Sequence, residues 1–252
     1  ILSAAAVLAL SASLLVGCSS GTASSVPVSA SSAAESTVSS VEETASSAVD
    51  ENEAAAAQLL NDLTGSYQEL WPVILADEYK QTWLDDCTAL VGEENAEAAF
   101  EKLSSMVTSD VYGEDAVEAY ANGGGAYFCG FTNSLATLTF DGETSTISGT
   151  DKDGNVLFSH TYHYIGMEPV HGLYEFESDD ADSGEFTYFF LAPDTSAETY
   201  HIEFRYGSDA EALSQYDAGE YAYWVASGIS TDCDQTMIDN CIELFCTENL
   251  AG

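Results

Sequence analysis

Short strands separated by turn residues fill the stretch from Ala126 to Tyr206, and they constrain the fold of this chain more than any other feature. Gly and Asp stand in several of the turns, as at Asp141-Gly142 and Asp153-Gly154, and tight hairpins favour these residues. Six or more antiparallel strands within about 80 residues predict a small barrel or a strongly curved sheet. Tyr221–Val225 follows as a candidate for closing that sheet. The predicted strands are Tyr127–Phe131, Leu135–Phe140, Ser145–Ser148, Val156–Ile165, Gly172–Glu177, Phe186–Leu191 and Tyr200–Tyr206.

Helical periodicity flanks the strands on both sides. Apolar residues recur there at intervals of three and four, which is typical of helices with one buried face. The pattern predicts a mainly β domain with two to three N-terminal helices and one C-terminal helix. The N-terminal helices are Asp77–Leu90, Asn95–Val107 and the weaker Glu114–Ala121, and the C-terminal helix is Cys233–Thr247. Gln58–Leu63 is predicted as a further short helix at the start of the domain.

The N-terminal residues resemble a bacterial lipoprotein signal. Ile1–Gly17 is apolar and uncharged, and it ends directly before Cys18. This predicts that residues 1–17 are removed and that Cys18 is lipidated, which anchors an extracytoplasmic protein to the bacterial cell membrane. A plain secretory signal that happens to contain a cysteine is the alternative. Residues 18–53 are rich in Ser and Ala and lack aromatic residues, which predicts a disordered tether before a domain at residues 54–252.

The charge balance limits the partners of this domain. The chain has 4 Lys and Arg residues against 43 Asp and Glu, a formal net charge of −39. Nucleic acid phosphates and anionic lipid surfaces need basic patches that this chain cannot assemble, so we expect no nucleic-acid binding. Cations, sugars, neutral ligands and basic proteins fit the charge better. A salty habitat would explain the same composition without any ligand.

One predicted strand carries chemically reactive side chains on a single face. Because side chains alternate across a strand, His201, Glu203 and Arg205 lie opposite the apolar residues of Tyr200–Tyr206. A solvated face of an antiparallel strand has the same pattern, so both interpretations stay open. The chain has no HExxH, no nucleophile elbow and no phosphate-binding glycine loop, and we therefore predict that it is not an enzyme.

Short motifs in a fixed order link this strand to a known family. They are Gly65-x-Tyr67 with Trp71-Pro72, Tyr162-x-Tyr164-x-Gly166, His171–Glu177, Ala192-Pro193, His201-x-Glu203, and Gly207–Asp209 before Glu211–Leu213. From about Gly65 to Gln215 the chain resembles the ZinT (YodA) family of extracytoplasmic zinc-binding proteins, a domain also found at the C-terminus of some zinc-uptake lipoproteins. The resemblance implies a lipocalin-like antiparallel β-barrel with flanking helices that holds zinc near one mouth. It also implies a zinc ABC-uptake system as a partner.

The family binds zinc mainly through three histidines, one just before the Ala-Pro turn and two in a His-x-His on the next strand. His201 matches the first of that pair, Glu203 stands where the second would be, and Phe189 occupies the position of the earlier histidine. Imidazole and carboxylate are both zinc ligands, so His201 and Glu203 remain candidates. Arg205 is a counter-indication, because its charge could pair with Glu203.

A third ligand has to come from another strand. His160 and Tyr162 are predicted to share one face of their strand and His163 the other, so at most one of the two histidines looks inward. The candidates for the third metal ligand are His160, His163, His171, Glu175 and Glu177.

Two functional hypotheses follow. The first is a zinc-binding lipoprotein that passes zinc to an uptake system. The alternative is a lipocalin-like surface lipoprotein with a decayed metal site, which binds a small ligand or glycan in a tyrosine-rich barrel interior; a purely structural surface protein is a third option. Beside Cys18 the chain has five further cysteines, Cys87, Cys129, Cys233, Cys241 and Cys246, which fit buried apolar positions or one or two disulfides.

Overall fold

The computed structural model of the chain describes residues 51–192 and 201–251. Eight antiparallel strands form a closed barrel in which each strand pairs with its neighbours in sequence and the last pairs with the first. The signal, Cys18, the tether up to residue 50 and Pro193 of the Ala-Pro turn lie outside the described residues. The strands are β1 (Gly65–Glu69), β2 (Thr137–Asp141), β3 (Thr146–Thr150), β4 (Val156–Met167), β5 (Tyr174–Ser178), β6 (Tyr188–Leu191), β7 (His201–Gly207) and β8 (Ala226–Ser230).

The expected lipocalin-like barrel with flanking helices is therefore confirmed. The helices are α1 (residues 51–62), α2 (Leu70–Ile74), α3 (Lys80–Val91), α4 (Glu93–Ser105), α5 (Glu114–Ala121), α6 (Ala210–Leu213) and α7 (Gln235–Leu250). Helix α1 already includes residues 51–53, which the sequence pattern assigned to the tether. No helix in the described part of the chain is both long and apolar enough to cross a bilayer.

The barrel closes through strands that the alternation pattern misplaced. β1, which the sequence pattern did not predict as a strand, pairs with β2 on one side and with β8 on the other, where Tyr67 lies opposite Ser230. The predicted closing strand Tyr221–Val225 is wrong, because β8 begins only at Ala226. Tyr223 has a φ of 57°, a left-handed conformation that interrupts an extended strand.

The predicted strand Tyr127–Phe131 is also not part of the barrel. Its Phe128 forms only isolated bridges, to Thr108 and to Trp224. The apolar alternation there reflects burial across one end of the barrel, where the Phe131 ring lies 5.4 Å from Phe204 and the Phe131 N–H donates to Glu69 Oε1 at 2.6 Å.

Aromatic side chains fill the barrel interior. The Phe189 ring, fully buried, packs on Phe158 at 5.9 Å, on Tyr206 at 5.4 Å and on Phe204 at 6.4 Å. An eight-stranded barrel is just wide enough for its side chains to fill it. The tyrosine-rich interior, where the alternative hypothesis places a ligand, is thus the main hydrophobic core.

A second core lies outside the barrel wall. Ile229 of β8 packs there against apolar residues of α2, α3, α4 and α7. The Trp83 indole of α3 is fully buried and donates to the Ile74 carbonyl at 2.7 Å. Phe245 of α7 meets Trp71 at 4.7 Å and Trp83 at 6.0 Å, both edge-on. These contacts hold α7 against α2 and α3, and α2 in turn packs against β8.

Candidate metal site

Strand β7 alternates as its sequence predicts. Ile202, Phe204 and Tyr206 are buried in the barrel core. His201 and Glu203 point outward and are half-buried, opposite Ile229 and Ser227 of β8. The pair therefore lies on the outer wall of the barrel, under the flanking helices.

His201 and Glu203 line a pocket between β7 and the helices α2 and α7. Glu248, at the exposed end of α7, supplies a second carboxylate, and Cys241 lines the wall. The remaining lining residues are Leu70, Trp71, Ile74, Leu244 and Phe245. Three side-chain types that can bind metals, an imidazole, carboxylates and a thiol, therefore line a pocket whose other lining residues are apolar.

The Trp71 indole adds an unusual polar atom to this wall. Trp71 is only 7% exposed, and its Nε1 has no hydrogen-bond partner among the described residues. A buried N–H group that makes no hydrogen bond lowers the stability of the folded protein. An indole N–H donates to acceptors and does not bind a cation, so this atom does not itself support a metal ion in the pocket.

The nearby thiols are held in the protonated form. Burial raises the pKa of Cys241 to about 12. Burial, followed by the negative charge of Glu203, raises the pKa of Cys129 further. Since thiolate rather than thiol binds metals, His201, Glu203 and Glu248 are the stronger donors at neutral pH.

Arg205 turns away from this pocket. Its guanidinium is fully buried and donates to the carbonyls of Leu213, Gln215 and Tyr221 rather than to Glu203. The Tyr216 ring covers it at 4.3 Å. Arg205 therefore does not form the ion pair with Glu203 that was expected, although its charge remains on the same face of β7, two residues further along the strand.

The three other histidines lie elsewhere. On β4, His160 Nδ1 contacts Asp180 Oδ2 and His163 Nδ1 contacts Asp179 Oδ1, each at 2.7 Å. The His171 ring contacts the Tyr216 ring at a tilt of 42°, with the ring centroids 3.7 Å apart, and its Nδ1 lies 3.5 Å from Glu168 Oε2.

None of these histidines is among the lining residues of the pocket. The same holds for the two carboxylate candidates on β5, of which Glu177 accepts a hydrogen bond from Tyr188 at 3.1 Å. Burial, with the Glu168 charge second, raises the pKa of Glu175. The structure therefore brings together His201 and Glu203 but places the predicted third ligands at other sites.

Phe189 is not beside the pair either. It lies opposite Tyr206 on the inner face, whereas the Ala192 N–H, at the end of β6, donates to the Glu203 carbonyl at 2.9 Å. The position next to Glu203 on the outer face is therefore that of Ala192.

Sequence reasoning missed Glu248. The signal was present, because Cys241, Leu244, Phe245 and Glu248 follow the one-face spacing of a helix, and Glu248 ends that face with an acid. Across residues 51–192 and 201–251, no three His, Cys, Asp or Glu side chains are arranged to hold a metal ion. The pocket has the donor types of a zinc site without a complete ligand geometry.

Comparisons with known proteins give distant structural matches. No sequence family and no curated protein matches the chain. The Zn(II)-bound ZinT-like domain of Streptococcus pneumoniae AdcA matches with a TM-score of 0.45 and 15% identity, over 71% of this chain and 87% of that domain. Zn(II)-bound AdcA from Streptococcus pneumoniae matches with a TM-score of 0.42 and 13% identity, over 73% of this chain and 34% of that protein. The first of these has the domain type that the sequence motifs resemble.

Proposed function

We propose that this protein binds zinc as cargo in the pocket between β7 and α7, and that it does so as an extracytoplasmic lipoprotein held to the membrane through Cys18. The single observation that carries the proposal is that His201, Glu203 and Glu248 all line one pocket. One imidazole and two carboxylates are ligands that zinc accepts.

The incomplete ligand set implies weak, reversible binding. A closed four-ligand site retains zinc, whereas a site with few protein ligands releases it readily. Such a site suits a protein that passes zinc to an ABC-type uptake system, which is the partner we propose. The net charge of −39 would raise the local concentration of cations around the pocket.

The tether would set how far the pocket stands from the membrane. A flexible chain of the length of residues 18–50 would have a root-mean-square reach on the order of 30 Å. That distance allows the domain to leave the lipid surface and meet a membrane-bound transporter.

Zinc titration of the chelator-treated protein by calorimetry tests the proposal. Excess Ca²⁺ in the buffer occupies the many surface carboxylates, because Ca²⁺ prefers oxygen ligands whereas imidazole suits zinc. We expect His201→Ala to weaken zinc binding at least tenfold, about 1.4 kcal/mol. Glu248→Gln should weaken it by a smaller factor.

His163→Ala is the matched control, because His163 is an exposed histidine on the distant strand β4. It should titrate like the unmodified protein. If His201→Ala also titrates like the unmodified protein, zinc does not bind at this pocket.

A further inference from the structure

Two buried cysteines face each other behind the candidate pocket. Cys87 of α3 and Cys246 of α7 are each fully buried, and their Sγ atoms lie 3.9 Å apart. That is contact distance for two thiols, and a disulfide would bring the sulfur atoms to about 2.05 Å.

The surrounding packing holds the two helices in this position. Phe245, the neighbour of Cys246, packs edge-on against Trp83 at 6.0 Å, and Trp83 precedes Cys87 by one helical turn on α3. Trp83 is itself fixed by its hydrogen bond to Ile74. The two sulfur atoms are therefore neighbours in the folded chain because α3 and α7 pack against each other.

We propose that Cys87 and Cys246 form a disulfide that cross-links α3 to α7 when the protein folds in an oxidising compartment. Disulfides persist in exported proteins, and export is where the proposed function places this chain. The inference does not depend on zinc binding.

The reaction is a thiol–disulfide exchange with a disulfide oxidant, such as oxidised glutathione or an oxidoreductase. The thiolate of one cysteine attacks a sulfur of the oxidant, which releases one reduced thiol and leaves a mixed disulfide. The second cysteine then loses its proton and attacks the mixed disulfide, which releases the other half of the oxidant as a thiol. Two protons and two electrons leave the protein in total.

Burial determines when this exchange takes place. It raises the pKa of Cys87, and it also raises the pKa of Cys246, so neither docked thiol is reactive at neutral pH. The exchange therefore precedes the final docking of α7. Once formed, the bond is shielded from reductants by the same packing.

The cross-link would join distant parts of the chain. The two cysteines are 159 positions apart, and the loop between them contains every barrel strand from β2 to β8. Closing so long a loop restricts the unfolded chain strongly. The bond would also fix α7, which carries Glu248, against the N-terminal helices.

Peptide mapping of the full-length protein tests the proposal. The protein is incubated with oxidised glutathione during refolding, denatured without reductant, alkylated and digested. We expect a peptide pair joined through Cys87 and Cys246 that separates on reduction. Recovery of both cysteines as alkylated free thiols would overturn the proposal. The experiment uses the unmodified protein, so its result does not depend on whether a variant folds.

Thermal unfolding gives a second readout. The oxidised protein should melt about 10 °C above the reduced protein, the order expected for a cross-link across a long loop. The double variant Cys87→Ala/Cys246→Ala should melt identically with and without reductant. Cys233→Ser, which alters the most exposed of the described cysteines, should keep the full difference. A reductant-dependent shift that survives in the double variant would assign the cross-link to other cysteines and contradict the proposal.

Discussion

Arg205 shows how a residue with a correctly predicted strand face can still have an unexpected role. The alternation of β7 placed it beside His201 and Glu203, where it was expected to oppose a cation. In the structure its guanidinium instead binds three backbone carbonyls that follow β7 in the sequence. The strand face on which a side chain lies follows from neighbouring residues in the sequence. The groups that it contacts depend on how the later parts of the chain pack against that face.

The role of Arg205 leads to a prediction of stability. Arg205→Lys keeps the charge but loses the planar fork, so buried carbonyls of Leu213 and Tyr221 lose their donors. We expect the free energy of unfolding to fall by about 2–4 kcal/mol, measured by urea denaturation. Lys152→Ala, at an exposed hairpin position, should change it by less than about 0.5 kcal/mol. A loss as small as that of the control would show that the carbonyl contacts contribute little.

Among the secondary-structure elements, α7 contributes several of the residues that line the candidate site. Its Asp234 side chain accepts a hydrogen bond from the Met237 N–H at 3.0 Å, which caps the helix. The helix then carries Cys241, Phe245 and Glu248 along one face to the pocket. Correct docking of α7 therefore brings in a carboxylate that lies far from β7 in sequence.

Removing that cap should weaken the helix. Asp234→Ala is expected to lower the free energy of unfolding by about 1 kcal/mol, because an N-terminal N–H loses its acceptor. Asp232→Ala removes the same charge two residues earlier, at an exposed position, and is the matched control. Urea denaturation of both variants measures the difference. Equal effects would mean that charge, rather than the cap, accounts for the change.

Helices were easier to predict from sequence than strands. Glu114–Ala121 was placed exactly, and α3 and α4 were located within three residues at their starts, because the spacing of apolar residues is a local property. The strand at Tyr127–Phe131 was wrong because alternating burial also arises where a loop covers a barrel end. β1 was missed because its five residues owe their strand form to β2 and β8.

At the scale of the whole molecule, charge repulsion should limit stability. A formal charge of −39 makes the folded chain repel itself, and salt screens this repulsion. Raising NaCl from 0.1 to 1 M shortens the Debye length from about 10 Å to about 3 Å. We therefore expect the melting temperature, followed by circular dichroism, to rise with salt at pH 7.

The isoelectric point provides the control for this prediction. Near pH 4.1 the net charge approaches zero, so the same change in salt should have a much smaller effect. An equal salt response at both pH values would indicate preferential exclusion of salt rather than relief of repulsion.

The sequence alone determined the β class, most helices and the two faces of β7, with His201 and Glu203 on the same face. Each of these follows from the periodicity of neighbouring residues. Only the tertiary structure decided that the barrel closes between β1 and β8, that Arg205 turns to a loop, and that His160, His163 and His171 lie apart from the pair. It also decided that Glu248 joins the pocket and that Cys87 meets Cys246. These contacts join residues far apart in the chain, and they exist only once helices and strands have packed around shared hydrophobic cores.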